Sequence, residues 1–568
     1  MSPAVELPIL DSYLARTSAS DLSSENERSA VWIPLLLLLA IFSRVVAAWS
    51  YDTICADGAY FIRAAEFFGR GDRSLMLAYQ GFNLYPALLV ALNKLGFEFE
   101  FAAKLWGVLI GTLTLLPLWG AFRRSFGERV AMLACFLFAV HPGLIQWTAE
   151  PIRDCTYWFF FSLALYCLAR VRETAAFRWF AMTGVTTTLA IYTRSEGWLL
   201  EIPLVFAGGE LFFRRRHGRK AILGAALFAA SFPFGVLAMQ CVFESAGSNN
   251  PRLETLSAVV KWATKKGVGG TSTTPVGAVP PDDDVSRTTV SPNPLHIGAP
   301  SSQSLRKRLS SYSKRLIRGY SPAIGLLTLI GILVEWRRFL RAEYFALLLM
   351  NSVLMCLIWA YLSLHADMNS RYFFPVVICG LPFAALGLIR GCSAIDRRYG
   401  SSLWMPRTLR CAMVLLFVIG LLTALSPDHS ARRQEAALGR WVRENYGENA
   451  IVAELGGNHF MYLMAHYART KTIITLTIPM TTDNLTQLKH HRPDAIVLRG
   501  TADQRRVYAG YLEGRPELGF TAADISVILG TEYDFELFVR RDMAAVNSRG
   551  VEASLTAGHG SVARNLAR

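Results

Sequence analysis

Charged residues are scarce in this 568-residue chain, where Asp, Glu, Lys and Arg together make up 18% of the sequence. Ordinary soluble domains carry about a quarter. Hydrophobic residues account for 52% of the chain, and the mean hydropathy is +0.30. Apolar runs long enough to cross a bilayer recur along the first three quarters of the sequence. Together these features exclude a soluble globular protein.

Several chemical signatures are also missing from the sequence. No pair of the nine cysteines has C-x-x-C spacing, and most cysteines lie in or beside apolar runs, so they are interpreted as small buried hydrophobes. We find no P-loop and no glycine-rich nucleotide fingerprint. ATP is therefore not expected to drive a reaction here, and an activated lipid embedded in the membrane would supply both substrate and driving force.

Eleven spanning helices are predicted from the apolar runs. They lie near residues 31–49, 101–122, 129–147, 154–170, 177–193, 197–213, 220–241, 320–336, 343–362, 371–390 and 408–425. The apolar stretch 84–96 is shorter and favours a re-entrant or interfacial helix. The run that follows residue 30 lacks a clear cleavage site, so it is interpreted as a spanning helix and not as a signal peptide.

Arginine-rich loops give the expected orientation. With eleven spans, the short basic loops all fall on the side of the N-terminus: 123–129, 170–178, 214–220, 337–341 and 390–410. The positive-inside rule makes that side cytoplasmic. If 84–96 were a full span, this alternation would break. The net charge of +15 is explained by the same rule, so no nucleic-acid partner is expected.

The remaining polar segments define the expected domains. A cytoplasmic tail, 1–30, precedes the transmembrane domain, 31–425, which has two outer loops at 50–83 and 242–319. The second loop is expected to be irregular, with a basic amphipathic segment at 305–318. Residues 426–543 alternate helical and strand patterns, which indicates a small extracytoplasmic α/β domain. The Gly/Ser/Ala-rich end, 544–568, is predicted to be disordered.

Ionisable residues gather at the outer ends of the predicted spans. Asp57 could accept a proton from a hydroxyl nucleophile, or it could be the N-cap of a helix that starts at Gly58. Glu150 and Asp154 lie with Arg153 in five positions, more ionisable groups than helix capping or solvation requires. Their clustering favours a functional site.

Two further groups contain candidate phosphate ligands. Arg194 could meet a phosphate, or it could form a surface pair with Glu196 or contact a headgroup. Arg371 heads an apolar helix on the outer side, against the usual charge bias, so an anionic headgroup or a lipid phosphate is its natural partner. His365 and Asp367 could contribute to a metal site, although two ligands without a third leave a metal undecided.

The motifs resemble those of the polytopic glycosyltransferases of the GT-C superfamily. The most similar group is the bacterial branch related to protein O-mannosyltransferases and to the aminoarabinose transferases of lipid A. The resemblance extends over residues 31–540 and is carried by Asp57–Phe61, Leu84–Leu89, Glu150–Pro151, Thr193–Gly197 and Arg371–Pro375. It implies an α-helical polytopic fold with the small α/β domain at its C-terminal end.

The resemblance also implies a reaction. A sugar on a polyprenyl-phosphate donor would move, usually with inversion, to a hydroxyl of a lipid, glycan or protein on the outer face of a prokaryotic cytoplasmic (inner) membrane. Asp57 would be the general base and Glu150 or Asp154 a second acidic group. The implied phosphate ligands are Arg194, Arg371 and Tyr372. The candidate acceptor or metal contacts are Asp52, Glu196, His365 and Asp367, which leaves a divalent cation open as a cofactor.

The chain departs from the family pattern at Gly58. Many relatives have a second acid at this position, directly after the first. Either Asp57 works alone, or Asp52 or Asp154 supplies the missing carboxylate, and the use of a metal is put in doubt.

Two other functions remain in view. A transporter or flippase for lipid-linked saccharides would place ionisable groups near the middle of the membrane and often has repeated halves. Here the groups cluster at one interface, and the halves do not match. A non-catalytic assembly protein that binds partners through its C-terminal domain would tolerate the loss of Asp57.

Overall fold

The structure is a computed structural model. It describes residues 19–72, 83–204, 206–207, 305–336, 342–364, 369–399, 407–426, 430–447, 450–455, 461–469, 472–476, 488, 490, 492–499, 502–523 and 535–540. The expected helix at 220–241, part of that at 197–213, most of the loop 242–319, the end 544–568, and His365 and Asp367 lie outside these residues.

Helices dominate the described residues up to Leu425. In chain order they are α1 Ala19–Ser50, α2 Ala56–Gly69, α3 Leu84–Lys94, α4 Phe99–Leu113, α5 Leu115–Phe126, α6 Glu128–Val140, α7 Pro142–Ala149, α8 Asp154–Thr174, α9 Phe177–Thr193, α10 Leu305–Tyr320, α11 Pro322–Val334, α12 Ala342–Leu364, α13 Phe374–Tyr399 and α14 Arg407–Leu425. Short 3-10 turns at Ser195–Leu200 and Ser370–Phe373 follow α9 and precede α13.

Four helical segments of the described residues are long and apolar enough to cross a membrane: Val31–Ser50, Phe99–Phe126, Ser370–Ile395 and Thr408–Leu425. The number rises to six if two bent helix pairs each count as one span. The chain is therefore a multi-pass membrane protein. The predicted spans at 154–170 and 177–193 correspond to α8, of 21 residues, and α9, of 17 residues.

Two of the predicted spans are bent. The span expected at 129–147 is broken by 54° between α6 and α7, where His141 caps α7 by accepting the Leu144 backbone N–H at 3.3 Å. The span expected at 320–336 begins after a 91° turn between α10 and α11, at Ser321 with φ of 61° and a proline at the first position of α11. A proline starts a helix readily because its missing N–H would have no partner there.

Glycine brings α11 and α13 into close contact. A Cβ atom on Gly331 would lie 1.9 Å from the Phe383 carbonyl oxygen. Small residues at such positions let membrane helices approach until their backbones touch. The stretch expected to lie at the interface forms α3, whose 11 residues would extend over about 16 Å and are too short to cross the hydrocarbon core.

The C-terminal residues form a five-stranded mixed sheet with helices on both faces. The strands are β1 Ile451–Leu455, β2 Thr472–Leu476, β3 Ala495–Arg499, β4 Phe520–Ala523 and β5 Phe535–Arg540, in the order β2-β1-β3-β5-β4. Strands β2, β1 and β3 are parallel, with Val452 opposite both Ile473 and Ala495, and β5 runs antiparallel to β3 and β4.

Side-chain alternation along the strands gives this sheet two cores. Val452 and Val497 pack against α15, Ser430–Tyr446, and α16, Met461–Ala468, whereas Ile496 and Leu498 pack against α17, Ala502–Glu513. Helix α16 also packs on α2, where Leu463 joins the apolar cluster of Ile54 and Ile62. The sheet domain is thereby attached directly beside the start of α2.

Candidate active site

Four helix ends meet at one end of the bundle and bring together charged residues that are far apart in sequence. Asp57 lies in the first turn of α2 and Asp154 in the first turn of α8. Arg194 directly follows α9, and Arg371 lies in the 3-10 turn before α13. Helix N-termini favour carboxylates because the helix dipole is positive there, so both aspartates lie where the backbone stabilises negative charge.

The charged side chains form a continuous chain of ion pairs. Arg371 Nη2 binds Asp57 Oδ2, and Arg371 Nε lies 4.0 Å from Asp154 Oδ1. The same Asp154 oxygen accepts from Arg194 Nη1, and Arg194 Nε also donates to Glu196 Oε2 at 3.2 Å. We call Asp57, Arg371, Asp154, Arg194 and Glu196 the ion-pair chain. Sequence analysis singled out all five residues, but it could not show that they are in contact.

Burial varies strongly along the ion-pair chain. The side chains of Asp154 and Arg194 are 2% and 4% exposed, and that of Arg371 is 12% exposed. Asp57 is 40% exposed and forms the open end. A group that enters the site would therefore meet Asp57 and Arg371 first, while Asp154 and Arg194 hold the inner end in place.

Aromatic rings pack against both arginines. Tyr372 lies with its ring centroid 4.7 Å from the Arg194 guanidinium and 5.7 Å from that of Arg371. Trp147 lies 5.3 Å from the Arg371 guanidinium. Such cation–π contacts stabilise desolvated guanidinium groups and fix the planes in which they can donate. Sequence analysis expected Tyr372 in this region but gave no role to Trp147.

The pairing keeps the inner groups charged despite their burial. Burial lowers the pKa of Arg194, but the nearby Asp154 and Glu196 carboxylates outweigh it and raise the pKa well above its usual value. Burial likewise raises the pKa of Glu196, and the Arg194 guanidinium overcomes this effect and lowers the pKa to about 2. Glu196 is therefore an anion at neutral pH, and it forms a partly buried pair with Arg194 instead of the surface pair considered above.

The alternative role of Asp57 as a helix N-cap is wrong. Helix α2 begins at Ala56, and Cys55 is its N-cap: the Cys55 sulfur accepts the Gly58 backbone N–H at 3.3 Å. The Asp57 side chain binds Arg371. The helix starts two residues earlier than Gly58, where the sequence predicted its start.

Gly58 has a steric reason to replace the second acid of the family pattern. A Cβ atom at this position would lie 2.4 Å from Pro151 Cγ and 3.1 Å from the Pro151 carbonyl oxygen. No side chain fits between α2 and the 150–153 turn. A second carboxylate is nevertheless present, because Asp154 connects Arg371 with Arg194.

A Gly58→Ala substitution is expected to destabilise the protein by about 1–3 kcal/mol, the usual cost of overpacking a close contact. Thermal unfolding of the purified protein would show this as a lower Tm. Gly69→Ala, at the other end of α2, is the matched control, because its Cβ would find only ordinary contacts, 3.7 Å or more away. Equal stability of the two variants would contradict the steric role of Gly58.

Glu150 belongs to a separate contact. It accepts the Cys55 backbone N–H at 2.9 Å and binds Arg432 of α15. The expectation that Glu150 meets the other acids in one cluster is therefore met only in part, since its two oxygens hold the α2 start and the sheet domain. Arg432 was missed because its only signal is spatial: nothing around it in the sequence points to a residue nearly three hundred positions earlier.

Arg432→Gln is expected to cost about 2 kcal/mol of stability, less than the ~3–5 kcal/mol of a fully buried pair. The reason is that the Glu150 side chain, 4% exposed, would lose its cationic partner, whereas Arg432 is itself 28% exposed. The measurement is the Tm in detergent, with the neighbouring exposed Arg433→Gln as control. If the two variants have the same Tm, the contact between Glu150 and Arg432 does not stabilise the sheet domain.

The remaining candidate residues lie elsewhere. Asp52 is exposed, and no ion pair found among the described residues includes it. His365 and Asp367 lie outside the described residues. Within the part of the chain that the structure describes, no three His, Cys, Asp or Glu side chains are grouped to hold a metal ion.

A buried tyrosine near the ion-pair chain was not recognised from sequence as a candidate. Tyr85 is fully buried and packs edge-on against Phe61, with ring centroids 5.5 Å apart. Its hydroxyl has no hydrogen-bond partner among the described residues. The sequence signal was its place in the Leu84–Leu89 motif, which was used only for the resemblance.

Comparisons with known proteins agree with the fold. Residues 84–240 match the family model described as dolichyl-phosphate-mannose-protein mannosyltransferase. ArnT from Cupriavidus metallidurans in the apo state has a TM-score of 0.55 at 14% identity, over 91% of this chain and 99% of that chain. ArnT bound to undecaprenyl phosphate has a TM-score of 0.52 at 15% identity, over 89% and 97%. No curated protein sequence matches this chain.

An apo oligosaccharyltransferase from Archaeoglobus fulgidus also aligns, with a TM-score of 0.49 at 14% identity over 88% of this chain and 70% of that one. In its family match over residues 84–240 and in its ArnT-like fold, the chain is similar to the GT-C glycosyltransferases, which include O-mannosyltransferases and aminoarabinose transferases. This confirms the resemblance found in the sequence. The matched segment 84–240 contains Asp154 and Arg194, whereas Asp57 and Arg371 lie outside it.

Proposed function

We propose that this protein is a membrane glycosyltransferase. It moves a sugar from a polyprenyl-phosphate donor to an acceptor hydroxyl on the outer face of the cytoplasmic membrane, with inversion and with Asp57 as the general base. The observation that carries the proposal is the ion-pair chain, in which the 40% exposed Asp57 carboxylate binds Arg371 and Asp154 connects Arg371 with Arg194.

The arginines fit the phosphate of the donor. As the glycosidic bond breaks, the phosphate oxygen gains negative charge, and fixed cations aimed at that oxygen stabilise the transition state. Arg371 donates through a planar fork suited to two phosphate oxygens. Asp154 is a positioning residue in this scheme, because its carboxylate lies between Arg371 and Arg194 and keeps both guanidinium groups at the inner end.

The ion pair between Asp57 and Arg371 sets the order in which donor binding and proton transfer occur. A donor phosphate that binds Arg371 competes with the Asp57 carboxylate and releases it toward the opening of the site. The freed carboxylate then accepts the proton of the acceptor hydroxyl. The acceptor oxygen forms a bond to the anomeric carbon as the bond from that carbon to the phosphate oxygen breaks, and the electron pair leaves with the polyprenyl phosphate.

The donor class has support from the fold as well. ArnT, which has this fold, has been solved with undecaprenyl phosphate bound. The acceptor in our proposal is a hydroxyl of a lipid, a glycan or a protein, and the α/β domain beside α2 is placed to form part of its binding surface. Glu196, whose side chain is 19% exposed, is proposed to contact the acceptor, whereas Asp52 lies apart from the ion-pair chain and has no role in this scheme. No metal is required for the proton transfer.

Charge supports the proposed orientation. Helix α8 carries Asp154 in its first turn and Arg172 in its last, and α5 carries Arg123 and Arg124 in its last turn. In our proposal the arginine-rich ends face the cytoplasm with the N-terminus, and the ion-pair chain and sheet domain face the periplasm.

The experiment is a transfer assay with the full-length protein in liposomes. A panel of radiolabelled hexosyl and pentosyl polyprenyl phosphates is supplied together with membranes from cells that lack the protein. A transferase releases polyprenyl phosphate and moves the label to a lipid, glycan or protein fraction. A transporter leaves the label on the lipid but makes it accessible on the other face. Movement of intact donor without transfer would overturn the proposal.

A further inference from the structure

A cavity lies at the end of the helix bundle opposite the ion-pair chain. Its volume is about 850 Å³, and it opens between α1, α5 and α8. Its wall is apolar toward the membrane interior, with Leu113, Leu116, Phe159 and Leu163 among the lining residues. Its rim carries Arg123, Arg124, Arg170 and Glu173.

Helix α8 separates this cavity from the ion-pair chain by a membrane thickness. Asp154 is at the first position of the helix and Glu173 is next to its last. Twenty-one residues at about 1.5 Å each span roughly 30 Å, which matches the hydrocarbon core of a bilayer. The cavity therefore opens at the membrane surface opposite the candidate active site and takes no part in it.

The rim is a preformed cationic site. Glu173 Oε2 lies 3.0 Å from both Arg124 Nε and Arg170 Nη1, so one carboxylate positions two guanidinium groups. Tyr166 lies 5.0 Å from the Arg124 guanidinium, and Trp119 lies 5.0 Å from that of Arg123. Three arginines and one glutamate leave a net charge of +2 on the lining.

Two arginines of the rim indicate that an anion binds here. Arg170 Nε is buried and has no hydrogen-bond partner among the described residues. Arg123 is the most exposed of the three arginine side chains, at 37%, so its guanidinium is accessible from the cavity opening. An unsatisfied buried N–H donor costs free energy, and a phosphate oxygen would satisfy it.

We propose that this cavity binds an anionic glycerophospholipid of the leaflet opposite the active site. Its phosphate would lie among Arg123, Arg124 and Arg170, and an acyl chain would follow the apolar wall. Leu113 and Leu116 are 42% and 43% exposed on helices that cross the membrane, so the wall is open to lipid chains. Basic pockets between membrane helices select anionic headgroups by charge.

Binding is tested on the full-length protein in detergent, titrated with phosphatidylglycerol or phosphatidylcholine and followed by native mass spectrometry. We expect phosphatidylglycerol to bind at least tenfold more tightly. Arg123→Gln with Arg170→Gln should weaken phosphatidylglycerol binding about tenfold and remove the preference. Arg172→Gln with Arg178→Gln is the matched control, since it removes two charges from the same membrane face but outside the cavity, and should change the Kd by less than twofold.

A second variant tests the apolar wall without a change in charge. Leu163→Trp fills the cavity and should weaken the binding of phosphatidylglycerol about tenfold. Free glycerol phosphate should not compete with phosphatidylglycerol for the cavity. The proposal is overturned if both phospholipids bind alike, if the control pair weakens binding as much as the cavity pair, or if Leu163→Trp has no effect. It is also overturned if undecaprenyl phosphate displaces phosphatidylglycerol at a concentration below that of the phosphatidylglycerol, because the occupant would then be the lipid carrier.

Discussion

Asp57→Asn is expected to lower the rate of sugar transfer by about three orders of magnitude at saturating donor, within the ~10²–10⁴-fold range of general-base catalysis. Asparagine keeps the size of the side chain and a hydrogen-bonding oxygen, but it cannot accept the acceptor proton. The affinity for polyprenyl phosphate should stay the same or increase, because Arg371 would lose the carboxylate that competes with the phosphate. The measurements are the single-turnover transfer rate and the equilibrium binding of polyprenyl phosphate.

Asp52→Asn is the matched control for this substitution. Asp52 lies five positions earlier in the same outer segment and is exposed, apart from the ion-pair chain. Its loss should change the transfer rate by less than about threefold, because exposed charges outside a site act weakly. Asp57→Glu should retain part of the activity, since it restores a carboxylate at a shifted position. Full transfer by Asp57→Asn would exclude Asp57 as the base, and a loss of donor binding would assign it a binding role instead.

The sequence predicted the components of the candidate site because the membrane makes polar residues conspicuous. An aspartate or arginine at the end of an apolar run needs a reason, and Asp57, Asp154, Arg194 and Arg371 were found on that ground. Their mutual contacts could not be predicted, because each belongs to a different helix end. Glu150 shows the limit of prediction from sequence. It lies four positions before Asp154 in the same polar segment, yet it binds Arg432 of the sheet domain.

The fold shows the same division between local and long-range information. Hydropathy located α1, α4 with α5, α13 and α14 because a spanning helix requires a long apolar run. It did not reveal the bends at His141 and Ser321, which depend on one residue's backbone angles and on the proline that follows. Gly58 could be read only as a departure from a pattern until the position of Pro151 supplied its steric cause.

Arg371→Gln is expected to reduce transfer by about 10²–10³-fold, the loss typical for removal of one charge-stabilising donor from an active site. Unlike the loss of Asp57, it should also weaken polyprenyl-phosphate binding, because the same guanidinium binds the ground-state phosphate. Arg194, the other arginine of the ion-pair chain, is engaged by both Asp154 and Glu196 and cannot substitute for it. The variant keeps the Asp57 carboxylate and removes the Arg371 guanidinium, so it separates the role of the base from that of the phosphate ligand.

The control for Arg371 is Arg70→Gln, which removes an arginine at the end of α2 whose side chain is 57% exposed. It should leave both the transfer rate and the phosphate affinity within about twofold of the parent protein, since the pair it breaks is a surface pair. Arg371→Lys keeps the charge but loses the planar fork and the stacking on Trp147 and Tyr372, so we expect it to bind the donor better than Arg371→Gln and still transfer slowly. If Arg371→Gln transfers sugar at the parent rate, the phosphate does not bind at Arg371, and the release of Asp57 by the donor would have to be abandoned with it.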